Sequence, residues 1–183
     1  KTEGIIINPI YHADDNLKTY NNDFPSTWET YQLIDAKNAK EANGRALNAL
    51  QNDVSGLCFS NPNNLSVLLK NISLEHIRID FSNYAKNFPL EWAEFVKNKN
   101  VKGAFHGITN SNIPDYLDTI FTTGTAKEQI TDALQKGQKA QQKVQFYFKI
   151  GSNYFLEIAK LKAFRILWKN KTGQDPYIFA SSD

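Results

Sequence analysis

The fold class predicted from the sequence is α/β, in the form of a parallel (β/α)8 TIM-type barrel that falls short of closure. Short apolar or alternating runs recur with helical segments between them, a rhythm that implies β-α units around a parallel sheet. About seven strand candidates can be counted. A full barrel takes roughly 200–250 residues, whereas this chain has 183. No G-x-G-x-x-G follows the first strand and no G-x-x-x-x-G-K-[ST] occurs, so a nucleotide-binding doubly wound sheet lacks its usual fingerprints.

Residues 1–28 carry one short apolar run, then Asn, Asp, Pro and aromatic residues without periodicity, and read as an extended arm. The barrel part is assigned to residues 29–183. "TYQLI" (30–34) opens it as a strand, and Asn38 with Glu41 forms a capping box for a helix to about residue 51. "GLCFS" (56–60) is the next strand. "NPNNLSVLLKN" (61–71) is expected to be helical, with Pro62 in its first turn. "HIRIDF" (76–81) alternates as a strand does, and "PLEWAEFVKNK" (89–99) is amphipathic. "KGAFHG" (102–107) and "DTIFTTG" (118–124) are further strands. A polar helix is expected over 125–140, weakened by Gly137. "VQFYFKIG" (144–151) is a strong strand, "NYFLEIAKLKAFRILW" (153–168) a helix, and "PYIFASS" (176–182) a final strand. No internal repeat is visible beyond the β-α rhythm.

The helix over 153–168 has no clean polar face. Phe155, Ile158, Ala159, Ala163 and Ile166 share one side, and Tyr154, Leu161, Phe164 and Trp168 much of the other. One side is expected to pack on strands. The other is expected against the arm, a neighbouring helix or a partner subunit.

Lys and Arg number 21 against 19 Asp and Glu, a net charge of +2, too balanced to suggest a nucleic-acid or membrane surface. No apolar run approaches the roughly 18–20 residues of a membrane span. The single cysteine, Cys58, excludes a disulfide framework within the chain and favours a reducing, cytoplasmic setting. The sequence has no methionine, even at position 1, which suggests a fragment, a processed product or missing residues.

In a barrel the chemistry sits where strands end. Those positions hold Asp35, Ser60, Asn61, Ser82, Asn83, His106, Thr122, Thr123, Ser152, Ser181 and Ser182, mostly neutral hydroxyls and amides. His12, His76 and His106 have no metal-ligand spacing. His106, without an evident partner, reads as structural, and Cys58 reads as a buried core residue. The expectation is that the chain has no catalytic residue, no cofactor-binding residue and no metal ligand.

"FYFKIGSNYFLEIAKLKAFRILW" resembles the strand-plus-helix segment of methylmalonyl-CoA mutases, in which an E-I-A-K-[LM]-[RK]-A-x-R-x-L-W pattern recurs. Glu157, Ile158, Ala159, Lys160, Ala163, Arg165, Leu167 and Trp168 match it in spacing. "TEGIIINPIYHADD" (2–15) is similar to the family's N-terminal arm, and "EANGRALNALQNDVSGLCF" (41–59) to the helix and strand opening its barrel.

The resemblance implies an acyl-CoA-binding (β/α)8 barrel that serves adenosylcobalamin-dependent interconversion of methylmalonyl-CoA and succinyl-CoA. Departures from the family pattern point to one kind of member. Catalytic chains carry a segment resembling R-P-W-T-I-R-Q-Y-A-G-F, whose tyrosine stacks at the active site. Aligned on Trp28, Gln32 and Asn43, this chain has Tyr31 at the arginine position and Leu33 at the tyrosine position. The D-x-H-x-x-G cobalamin-ligand motif is absent. Where the family places Arg-x-Ser facing CoA, Lys143 and Gln145 stand instead, which weakens the expectation of CoA binding. Region 103–125 is shorter than the family's.

The pattern resembles the small, non-catalytic subunit of a bacterial heterodimeric mutase, which binds no cofactor and stabilises a large catalytic subunit carrying adenosylcobalamin. A fragment of a catalytic acyl-CoA mutase is the alternative, and an unrelated barrel enzyme or binding protein is a second.

Overall fold

The computed structural model describes residues 12, 14, 28–107, 113, 115–140 and 143–182. The arm expected over 1–28 lies outside them apart from His12, Asp14 and Trp28. Seven parallel strands form one sheet in sequential order: β1 (Tyr31–Asp35), β2 (Gly56–Ser60), β3 (Arg78–Ser82), β4 (Lys102–Phe105), β5 (Tyr116–Phe121), β6 (Val144–Lys149) and β7 (Tyr177–Ser181). The sheet is curled. Tyr31 on β1 and Phe179 on β7 meet ring to ring at 5.2 Å, although these strands are the two ends of the sheet. An α/β fold with an incompletely closed, barrel-like parallel sheet is therefore what the chain forms.

The helices are α1 (Ala39–Gln51), α2 (Leu65–Leu68), α3 (Phe88–Phe95), α4 (Ala126–Lys139) and α5 (Tyr154–Thr172). Their caps follow from local chemistry. Asn38 Oδ1 accepts the Glu41 amide at 3.3 Å, and Thr125 with Glu128 completes a reciprocal capping box. Gly173, at φ 73°, terminates α5 in the left-handed conformation that glycine adopts without penalty. The expected helix over 61–71 shrinks to the single turn of α2. Asn61 and Asn64 both have positive φ (54° and 39°), so no helix can run through "NPNN", and Pro62 lies outside it.

The convex face carries two apolar clusters. The larger joins Ile34, Leu57, Phe59, Ile79, Phe81 and Phe105 to the inner sides of α1, α2 and α3, with Trp92 edge-on to Phe81 at 4.8 Å. Gly103 is required here because a Cβ would stand 1.8 Å from the Ile79 carbonyl and 2.7 Å from the Tyr116 ring. The Tyr116 hydroxyl donates to that same carbonyl.

The smaller cluster holds Ile120, Phe146, Phe148 and Phe164. Here α4 crosses α5 closely. A Cβ at Gly137 would lie 2.6 Å from Trp168 and 2.7 Å from Phe146. The glycine expected to weaken α4 is what lets the indole lie against it. Gly→Ala in an open helix gains up to about 1 kcal/mol. At Gly137 the substitution is expected instead to cost about 1–3 kcal/mol through overpacking, with Trp168 fluorescence shifting in the folded state. Chemical denaturation followed by circular dichroism measures the cost, and the summed emission of the three tryptophans in the folded state reads the shift.

The puzzle of α5 resolves with one side on the sheet. Phe164 is fully buried, while Leu161 and Trp168 pack against the smaller cluster. Phe155 (82% exposed), Tyr154 (70%) and Ile158 face solvent. Lys160, one turn before Phe164, is buried on the inward side. Its Nζ meets Glu157 Oε2 at 2.5 Å, the Lys149 carbonyl at 2.8 Å and Gln129 Oε1 at 3.2 Å, tying the end of β6 to α4 and α5.

Candidate functional site

A barrel of this class holds its chemistry at the C-terminal ends of the strands, above the side chains that fill its concave face. On β3, Ile79 and Phe81 point into the convex core, so strand alternation turns Arg78 and Asp80 to the concave side. Register places Cys58 beside Asp80, Thr119 beside Gln145, and Phe121 beside Tyr147 and Phe179 on that same side.

These residues form one polar cluster. Arg78 Nη2 donates to Gln145 Oε1 at 2.9 Å, and Arg78 Nε pairs with Asp80 Oδ1 at 3.5 Å. Gln145 Nε2 donates to Asp80 Oδ2 at 3.1 Å and to Thr119 Oγ1 at 3.0 Å. His106 Nε2 lies 3.4 Å from Asp80 Oδ2. Phe121, Tyr147 and Phe179 stand edge-on around the imidazole with ring centroids at 5.9, 6.2 and 5.1 Å. The expectation that His106 lacks a partner is thus corrected: Asp80 and Cys58 both reach it.

The grouping of Cys58, His106 and Asp80 invites a nucleophile–base–carboxylate reading, and the geometry opposes it. Cys58 Sγ (3.9 Å) and Asp80 Oδ2 both approach the same ring nitrogen, Nε2. A relay needs its two partners on opposite nitrogens. Burial, with the Asp80 charge beside it, also pushes the Cys58 thiol up to about 12. A thiol there is a thousandfold less ionised at pH 8.5 than a free one, to order of magnitude. Iodoacetamide at pH 8.5 is accordingly expected to alkylate the folded chain on the order of a thousandfold more slowly than the urea-unfolded chain. Mass spectrometry of timed aliquots measures the ratio.

Leu33 lies on β1 opposite Cys58 and is 60% exposed, leaving an aliphatic side chain where the family resemblance expects a stacking tyrosine. Tyr31 packs over Gly56 and donates its hydroxyl to Glu29 at 3.2 Å. Burial is the main cause that pushes its phenol well above the ordinary tyrosine range.

The strand-end residues have different surroundings. Asp35, Ser60, Asn61 and Asn83 form a hydrogen-bonded rim: Asn61 Nδ2 donates to Asp35 Oδ1 at 3.0 Å and to Ser60 Oγ at 3.2 Å. Asn83 Nδ2 donates to Ser60 Oγ at 3.1 Å. Ser82 lies 4.0 Å from Cys58 Sγ. Thr122 is structural, donating to the Tyr147 carbonyl at 2.9 Å. The Ser181 carbonyl accepts the Ile150 amide at 2.7 Å. Thr123, Ser152 and Ser182 are exposed and stand apart from the rim.

The rim exposes a repeat that reading along the chain missed. "FSN" ends both β2 and β3, with Phe59 opposite Phe81 and Ser60 opposite Ser82. Each asparagine has positive φ, 54° at Asn61 and 49° at Asn83. The phenylalanine anchors the core, the serine faces the concave side, and the asparagine turns the chain.

Among the described residues, no group of three or more His, Cys, Asp or Glu is placed to hold a metal ion. No described helix is long and apolar enough to cross a membrane. A surface cleft lined by Gln32, Glu41, Arg45, Asn48 and Asn52 lies outside the concave face, between β1 and α1.

Residues 114–176, from β5 to the edge of β7, match the family model described as methylmalonyl-CoA mutase. The resemblance to the mutase family holds. Over 247 aligned positions the chain is 25% identical to the methylmalonyl-CoA mutase small subunit of Porphyromonas gingivalis (strain ATCC BAA-308 / W83), an alignment covering 93% of this chain. The chain spans 40% of the length of that relative. The alignment is longer than the 183 residues of this chain, so the relative carries residues that this chain lacks.

The mutase-like helix motif acquires a physical meaning on α5. Glu157 and Lys160 are the buried ion pair, Trp168 fills the notch at Gly137, and Arg165 pairs with Asp175 at 3.2 Å to hold the turn before β7. These matched positions preserve the scaffold.

Proposed function

We propose that this chain serves as the small, non-catalytic subunit of an adenosylcobalamin-dependent methylmalonyl-CoA mutase. In this reading its curled sheet is part of a (β/α)8 barrel, and it acts in the cytoplasm by stabilising a large catalytic subunit in a heterodimer. The observation that carries the reading is the filled concave face. Arg78, Asp80, Gln145 and His106 fill the inside of the curled sheet, and they hydrogen-bond one another rather than presenting free groups. Gln145 stands at the position where the family places the serine of Arg-x-Ser, and it is spent on Asp80, Thr119 and Arg78. A group committed to buried partners is costly to redirect to a ligand.

The residues do not fit a resident corrin either. His106 is the concave-face histidine, and its Nε2 faces Asp80 and Cys58 inside a ring of three aromatic side chains. Ligating a cobalt through Nε2 would cost it the contacts to Asp80 and Cys58. Radical chemistry therefore belongs to the partner in this reading, where the cofactor supplies the radical and the protein shields it.

Co-expression with the large subunit, followed by affinity purification through a tag on this chain alone, tests the pairing. A stoichiometric complex is expected. Recovery of this chain without the large subunit, at concentrations where both are soluble, would contradict it.

A further inference from the structure

Among the described residues, the end strands β1 and β7 each pair with one neighbour, and no ladder joins them to each other. What spans the concave side is a set of side chains. β3 and β6 stand three strand intervals apart, about 14 Å along a flat sheet at 4.7–4.9 Å each. Arg78 and Gln145 nevertheless meet at 2.9 Å, which only a curled sheet allows. Gln145 joins the two halves by side-chain hydrogen bonds. Its oxygen accepts from Arg78, while its nitrogen donates to Asp80 on β3 and Thr119 on β5. Arg78 also lies 5.8 Å from the Tyr177 ring on β7. The side chains of Arg78, Asp80 and Gln145 are almost wholly withdrawn from water, where hydrogen bonds strengthen one another and unpaired groups are costly.

We propose that Gln145 is a positioning residue whose cross-sheet hydrogen bonds set the curl of the sheet and thereby hold β1 against β7. The Tyr31–Phe179 contact follows from that brace. Removing the brace lets the β6–β7 half swing away from β1–β3 while each half keeps its own ladder and helices. The inference does not depend on the subunit reading above, because it concerns only how the concave face is held closed.

The test uses the full chain in a Cys58→Ala background, with spin labels at Gln32→Cys and Ala180→Cys, both exposed on the convex side. A control pair at Lys40→Cys and Lys70→Cys lies within the first half. Distances are read by pulsed electron resonance. With Gln145→Leu the β1–β7 distance is expected to lengthen by several ångströms and broaden, while the control pair stays unchanged. An unchanged β1–β7 distance, or equal broadening of both pairs, would overturn the proposal. Thr119→Val removes one of the two hydrogen bonds from Gln145 Nε2 and is expected to give a smaller lengthening. Should Gln145→Leu fail to fold, the Thr119→Val distance decides: lengthening supports the brace and no change overturns it.

Discussion

Lys160→Met is expected to cost about 3–5 kcal/mol of stability, the range for breaking a buried ion pair by removing one partner. The methionine matches the lysine stem in length, so packing against Phe148 is kept while the charge is lost. Three acceptors then lose their donor in a dry site: the Glu157 carboxylate, the Lys149 carbonyl and Gln129 Oε1. The double variant Lys160→Met/Glu157→Leu is expected to recover a large part of the loss, because no lone charge remains. Urea unfolding of the two variants against the parent measures the difference. Equal destabilisation in single and double variants would show that packing, not charge, is what Lys160 provides.

Arg78→Met is the second large effect, again about 3–5 kcal/mol. Asp80 is fully buried, and its charge is balanced from β3 itself by the Arg78 guanidinium at 3.5 Å. Without it, Gln145 Oε1 also loses its donor. Arg78→Met/Asp80→Leu is expected to be substantially more stable than Arg78→Met alone, as determined by denaturation midpoints at constant slope. Here the slope is informative in itself. A lower slope in the single variant would mean that its native state already exposes part of the concave face.

Much of the fold was legible because local chemistry decided it. The strands "GLCFS" and "VQFYFK" are apolar enough to be recognised alone, and Thr125 with Glu128 announces α4 through an interaction three residues long. The failed helix over 61–71 was a competition between Pro62, which suits a first turn, and two left-handed asparagines, whose φ values no pattern reveals. The concave cluster was hidden for a different reason. Asp80 and Gln145 are 65 residues apart, and Cys58 and His106 are 48 apart. Only the order and register of strands bring them together.

One signal did exist. In "RID" the charged residues alternate with an apolar one at strand period, so an arginine and an aspartate had to share a face. In a curled parallel sheet that face is the inside, and a charge pair there demands partners from across the barrel. Leu33 was visible as an altered position through the family resemblance. Its exposure on the concave edge of β1 required the structure.

We propose that this chain carries the scaffold of a mutase without its chemistry. Turnover of methylmalonyl-CoA to succinyl-CoA with added adenosylcobalamin tests it most directly, assayed with this chain alone and with the large subunit present. No turnover is expected from the chain alone, and turnover only in the presence of the large subunit. Measurable turnover by the purified chain alone would contradict the account.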